Sequence, residues 1–209
     1  MILRLLTLLV LCIPSMALAV GNAADAFKSA PGDIFPTIDS VLRLDMLDYY
    51  NGGYSNFVQN EFTEPVRIDS LTPDYIKVRV SDNSTVEMTM MPLSAKDTAV
   101  VVITTLKVPA TASFVNVYHG DWVEYRDVFP MFRLTDWFKP QDGESMADIE
   151  NMVPFVIARL TIDPATRVLT ATNTLNEYFT PEDYDKLKLT LRPTLNYQWK
   201  GKKFKLTKP

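Results

Sequence analysis

Apolar residues fall first into one unbroken run and then into two alternating rhythms. Leu5 to Ile13 is almost entirely apolar, Arg4 precedes it, and Ala17-Leu18-Ala19 follows. A basic start, a short apolar stretch and a small-x-small site define a secretory signal peptide over residues 1–19. The run is shorter than the ~20 residues a membrane-spanning helix needs. Cys12 lies inside it behind Leu11, where lipoprotein signals carry a small side chain, so lipidation is not expected. Downstream, Ala23–Ala30 forms a short helical pattern closed by Pro31-Gly32. Ile38, Val41, Leu42, Met46 and Tyr49 then recur at three- and four-residue steps, with Thr37 placed as a cap and Asn51-Gly52-Gly53 as a stop. This spacing predicts an amphipathic helix over 38–50.

The period then drops to two. Ile76, Val78 and Val80 alternate with Lys77 and Arg79, and Val86, Met88 and Met90 alternate with Glu87 and Thr89, across the polar turn Ser81-Asp82-Asn83-Ser84. The pattern is that of a hairpin over 75–91 with one wet face. Ala99–Leu106, nearly all Val, Ile and Thr, reads as a central strand covered on both sides, and Phe114–Tyr118 as its neighbour. The texture breaks between Trp137 and Pro154, where Lys139-Pro140-Gln141-Asp142-Gly143 precedes a short helical pattern from Ser145 to Asn151. Here a long connection runs, or two subdomains meet near 137–153. Val156–Ile162 and Arg167–Thr174 form a second hairpin around Asp163-Pro164-Ala165-Thr166. Thr180-Pro181-Glu182-Asp183 then starts a short helix with a cap, a proline at its first position and acids in its first turn. Finally Leu189, Leu191, Leu195, Tyr197 and Trp199 alternate with polar residues. Pro193 in that run predicts an edge strand, because proline donates no ladder hydrogen bond. The expected fold class is α+β, a single domain over 20–209. It is mainly antiparallel sheet, with a packed N-terminal helix and a short C-terminal helix before an edge hairpin.

Composition narrows the chemistry. In 209 residues, 47% are hydrophobic and 22% charged, with one Cys and one His. Disordered tails, collagen-like repeats and multi-span membrane proteins are excluded, as are disulfide frameworks and multi-histidine metal centres. Loss of the leader removes Arg4 and Cys12 and takes the net charge from −4 to −5. A thiol-free chain behind a secretory leader points to bacterial export, to the periplasm or cell surface, with no transmembrane span left.

The remaining charge is unevenly spread. From 185 to 209 eight basic residues face one acid, Asp185, giving +7 on an acidic body of −12. Lys200, Lys202, Lys203 and Lys205, with Arg192, are therefore the candidate ligand-binding residues, suited to an anionic envelope glycan or lipid, or to a protein partner. Edge lysines that discourage strand-to-strand aggregation account for the same residues. Nucleic acid does not suit an exported acidic protein.

Catalytic patterns are sparse. His119 has no nucleophile motif such as G-x-S-x-G. Asp45 and Asp48 share one helix face and could form an acid pair, but a solvated face explains them equally. Asp142, Glu144, Asp148 and Glu150 form an acidic loop with oxygen ligands of the calcium type. Its spacing departs from an EF-hand, and Ser145 with Asp148 also reads as a helix cap. Walker, dinucleotide-binding, H-E-x-x-H and Cys-x-x-Cys motifs are missing from the sequence, and no cofactor is expected.

Several segments together are similar to an uncharacterised family of exported Bacteroidales proteins, domain-of-unknown-function family 3256. They are Arg43-Leu44-Asp45-Met46-Leu47-Asp48-Tyr49, Leu71-Thr72-Pro73-Asp74-Tyr75, Ser84-Thr85-Val86-Glu87-Met88, Tyr178-Phe179-Thr180-Pro181-Glu182-Asp183 and Tyr197-Gln198-Trp199-Lys200-Gly201-Lys202-Lys203-Phe204. The resemblance implies an envelope setting and assigns no catalytic or ligand residue. The function expected is that of an exported, non-enzymatic binding or assembly module of the bacterial envelope. The alternatives are a carboxylate-based glycan hydrolase and a structural subunit that pairs through an edge strand.

Overall fold

The computed structural model describes residues 21–54, 58–94, 97–141 and 143–207. The leader pattern of residues 1–19 lies outside them. Two helices open the chain, α1 (Ala23–Ser29) and α2 (Ser40–Asn51). Six strands follow: β1 (Val58–Gln59), β2 (Pro65–Thr72), β3 (Tyr75–Ser81), β4 (Ser84–Pro92), β5 (Thr98–Leu106) and β6 (Ala112–His119). They form an antiparallel meander in the order β1-β2-β3-β4-β5-β6. Short helices α3 (Leu134–Trp137) and α4 (Met146–Met152) lead into β7 (Ala158–Asp163) and β8 (Val168–Asn173). Then come α5 (Pro181–Leu187), β9 (Thr194–Trp199) and β10 (Phe204–Leu206). These last four strands make a second antiparallel sheet, β10-β9-β8-β7. The fold is α+β.

Strand alternation sends each side of the first sheet into a different core. Ile76, Val78, Val86, Met88, Val100 and Val102 pack under α1 and α2. Met91, Val101, Ile103 and Val117 point the other way, into a cluster with Leu160, Leu169, Ala171 and Tyr197 of the second sheet. The layers are thus helices, six-stranded sheet, four-stranded sheet. β5, buried on both faces, is shared by the two cores. Trp137, Ile149 and Val153, from the segment around 137–153, are fully buried in the inter-sheet cluster. No described helix is long and apolar enough to cross a membrane.

Three expectations are corrected. Asp39, not Thr37, caps α2, its carboxylate accepting from the Leu42 N–H at 2.8 Å. The helix is also rotated relative to the predicted stripe. Arg43, Met46 and Leu47 face inward, while Val41 and Tyr49 are exposed. The guanidinium of Arg43 takes the inner position because it donates to the carbonyls of Phe27 and Ala30 at the end of α1, which have no partner within their own helix.

The second correction concerns β2. Its alternation is interrupted by a bulge at Asp69, between the paired residues Ile68 and Ser70, and no strand is predicted there. The third lies at the C-terminus. Leu189 is exposed in a turn, and β9 starts after Pro193, flanked by β8 on one side and β10 on the other. Pro193 therefore costs no ladder bond, and its carbonyl accepts from Asn173 N–H at 2.9 Å. The edge belongs to the three-residue β10, so the terminal hairpin is an edge hairpin although β9 itself is interior.

Candidate functional site

The basic residues singled out from the sequence divide into two places. Lys200, Lys202, Lys203 and Lys205 all lie on the tip and edge of the β9–β10 hairpin, and all are exposed. The turn is closed by Lys200 N–H donating to Lys203 carbonyl at 2.9 Å, with Gly201 at φ +80, a conformation that costs a glycine little. Phe204 N–H donates to the Val128 carbonyl at 2.9 Å, and the Phe204 ring meets Trp199 at 5.1 Å. The apolar side of the hairpin is thereby anchored while the lysines stand free. Arg192 precedes β9, so a strand of six residues, about 20 Å at ~3.3 Å per residue, separates it from the lysines. The structure does not bring it to their cluster.

Among the described residues the hairpin lysines share the lack of an ion pair with Lys107, Lys139, Arg159, Arg167 and Arg192; the hairpin differs in gathering four such charges within six residues. Lys28, Lys77, Arg79, Arg126, Arg133, Lys186 and Lys188 each pair with a carboxylate. No described carboxylate pairs with any of the four hairpin lysines. Their charge is uncompensated.

The acidic loop looks different. Asp142 lies outside the described residues. Asp148 accepts from the Ser145 N–H at 2.9 Å and hydroxyl at 2.7 Å, completing a capping box at α4. The Ser145 hydrogen bonds hold the Asp148 carboxyl below its ordinary pKa. Glu144 accepts from Gln141 N–H at 3.2 Å, and Glu150 is exposed. No group of three or more potential metal-ligating side chains occurs among the described residues. Asp45 and Asp48 both point to solvent from α2. His119 ends β6, its ring stacked on Tyr125 at 4.5 Å and its Nδ1 3.8 Å from Asp97 Oδ2.

A second site escapes the sequence reading. The face of the 75–91 hairpin expected to be wet looks toward the second sheet and is largely covered. Glu87 is 5% exposed and Thr89 0%. Register explains the placement: Glu87 sits opposite Lys77 on β3 and Ile103 on β5, so it shares a face with the inter-sheet core. Glu87 accepts from Lys77 Nζ at 3.0 Å and from the Tyr75 hydroxyl at 2.7 Å. Burial, then the Glu87 hydrogen bond and charge, push the Tyr75 pKa far up. Beside them, Asp69 accepts from Arg67 Nε at 2.6 Å and pairs with Arg79 Nη2 at 3.5 Å. Arg159 of β7 closes the opposite wall. A cleft of about 350 Å³ lies between, with Lys77, Arg79, Lys107 and Arg159 set against Asp69 and Glu87.

This cleft holds two carboxylates, as a glycan hydrolase would require, but each is ion-paired to a cation. A general acid needs surroundings that keep its proton on, apolar or like-charged.

The model of the family described as "Protein of unknown function (DUF3256)" matches residues 15–204. The chain belongs to that family. The match spans α1 through the first residue of β10 and includes strands of both sheets. A solved structure described as a domain of an uncharacterized protein from Porphyromonas gingivalis W83 superposes with a TM-score of 0.72 at 22% identity. It covers 87% of this chain and 97% of that one. At that identity the likeness concerns the fold alone. No curated protein matches the chain.

Proposed function

We propose that this DUF3256 protein is an exported, non-enzymatic binding module of the bacterial cell envelope. Its β9–β10 hairpin is the contact surface for anionic envelope glycan or lipid headgroups. The observation behind this reading is the uncompensated charge of Lys200, Lys202, Lys203 and Lys205 on one rigidly anchored hairpin. Lysines near an anionic membrane surface contribute about 1 kcal/mol each. Four of them supply roughly a thousandfold in affinity, enough for reversible attachment. The leader pattern of residues 1–19 supports export.

The test compares wild-type protein with a variant in which all four lysines become glutamine. Both are sedimented with vesicles containing anionic lipid and with neutral vesicles, and both are passed over an immobilised acidic polysaccharide. Wild-type protein is expected on at least one anionic surface, with the variant released from it. Equal retention of the two proteins on both surfaces removes this reading.

A further inference from the structure

The inter-sheet cleft has the make-up of a ligand site that the hairpin reading does not use. We infer that it binds a small, hydroxyl-rich ligand carrying one carboxylate, of the size and chemistry of a uronic acid. Its volume of about 350 Å³ is at the small end of the range for ligand pockets. Four lining cations, Lys77, Arg79, Lys107 and Arg159, outnumber the two lining carboxylates, Asp69 and Glu87, so an anion is favoured by a net +2.

One guanidinium group has capacity left for that anion. The Arg159 side chain makes no ion pair or hydrogen bond to any described residue. The Nε of Arg79 is buried without a hydrogen-bond partner, out of reach of a ligand in the open cleft, and its Nη2 already pairs with Asp69. Guanidinium forks match a carboxylate in a bidentate manner. Lys77 is already spent on Glu87, and Lys107 donates to the Asp82 carbonyl at 3.0 Å.

The rest of the lining fits hydroxyl groups. Thr85 and Thr105 are nearly buried there. Thr105 shares a 2.8 Å hydrogen bond with Ser113, whose oxygen also accepts from Leu160 N–H at 3.0 Å. That chain ties the cleft floor to β7. The carboxylates of Asp69 and Glu87 accept hydrogen bonds and can take them from ligand hydroxyls. Inorganic phosphate brings few hydroxyls of its own and would leave those acceptor oxygens without donors. A singly charged carboxylate with several hydroxyls satisfies both halves of the lining.

Calorimetric titration of the purified protein with D-galacturonate, D-galactose and inorganic phosphate tests the inference. Galacturonate is expected to bind at least about tenfold more tightly than galactose or phosphate, a factor one guanidinium–carboxylate contact can supply. Arg159→Met keeps the apolar stem of an exposed residue and should weaken galacturonate about tenfold with an unchanged melting temperature. Thr85→Val should weaken it without restoring preference for the neutral sugar. The four-lysine hairpin variant should bind galacturonate as wild type does. The inference is overturned if folded wild-type protein fails to bind galacturonate, or binds galactose or phosphate as tightly. Full affinity in Arg159→Met, or loss of affinity in the hairpin variant, overturns it as well.

Discussion

Arg43 is the residue whose removal reports most sharply on how the helical layer is held to the sheet. Its side chain is buried, yet it makes no salt bridge to any described residue. It donates from Nε to the Asp39 carbonyl at 3.3 Å, and from Nη1 to the Phe27 carbonyl at 3.2 Å and the Ala30 carbonyl. Burial pulls its pKa down and the nearby Asp39 charge pushes it up. The group nevertheless stays a cation, as arginine does in proteins. In Arg43→Ala, the carbonyls of Phe27 and Ala30 lose their partner while remaining beneath α2. Each stranded carbonyl costs about 1–3 kcal/mol, and the lost stem adds a cavity. A total of about 3–5 kcal/mol follows, a large share of the ~5–15 kcal/mol stability of an ordinary domain. For a chain of this length each kcal/mol moves the melting temperature by about 2–4 °C, so a fall of roughly 6–20 °C is expected. Urea unfolding followed by circular dichroism measures the free energy, and a thermal melt the shift in melting temperature. Arg43→Met separates packing from hydrogen bonding, because it restores most of the stem and none of the donors. It should lose at least half as much as Arg43→Ala. If Arg43→Met is as stable as wild type, the carbonyls do not need the guanidinium and the explanation of the α2 rotation is wrong.

Trp137 is fully buried in the inter-sheet core and packs edge-on against Phe132 at 5.6 Å, so Trp137→Ala should cost about 3–5 kcal/mol in a denaturant titration. At the other end of the scale, Thr180 caps α5 by accepting from Asp183 N–H at 3.2 Å, and Thr180→Ala should cost about 1 kcal/mol. Hydrogen bonds from Thr180 and Ser145 lower the pKa of Asp183 and Asp148 in the folded protein. Their contribution is present above the ordinary aspartate pKa and disappears as pH falls through the depressed values, so the penalty of Thr180→Ala should shrink in acid. The alkaline limb has the opposite origin. Burial raises the Tyr75 pKa and pushes that of Tyr197 up to about 12. The unfolded chain releases these protons near pH 10, so stability should decline from about pH 10 upward. A Tyr197→Phe variant should flatten that decline, and an unchanged slope would show that Tyr197 does not titrate as its burial demands.

Much of the fold was legible because local rhythm and long-range packing agree. The 75–91 hairpin, the doubly buried Thr98–Leu106 strand, and the caps of α4 and α5 all appear where side-chain type and spacing put them. The failures share a cause. Periodicity marks which residues share a face, not what lies over it. The spacing predicts a polar hairpin face open to water, but that face looks toward the second sheet, whose β7, some 70 positions further on in sequence, forms the far wall of the cleft. Glu87 and Thr89 are buried as a result. For the same reason the cleft could not be seen: its cations come from β3, β7 and the turn after β5. The α2 register failed for a related reason. An arginine rarely counts as an inward-facing residue, and only the position of the α1 carbonyls makes Arg43 one. The hairpin lysines were recognised because they lie within six consecutive residues. Arg192 shares their sequence region but not their end of β9.

The salt dependence of vesicle binding goes straight to the role of the hairpin. Binding of wild-type protein to anionic vesicles should weaken steeply as ionic strength rises toward 0.15 M, where the screening length is about 8 Å. The four-lysine variant should show weak binding with almost no salt dependence. Parallel curves for the two proteins would contradict the assignment of the β9–β10 hairpin as the contact surface.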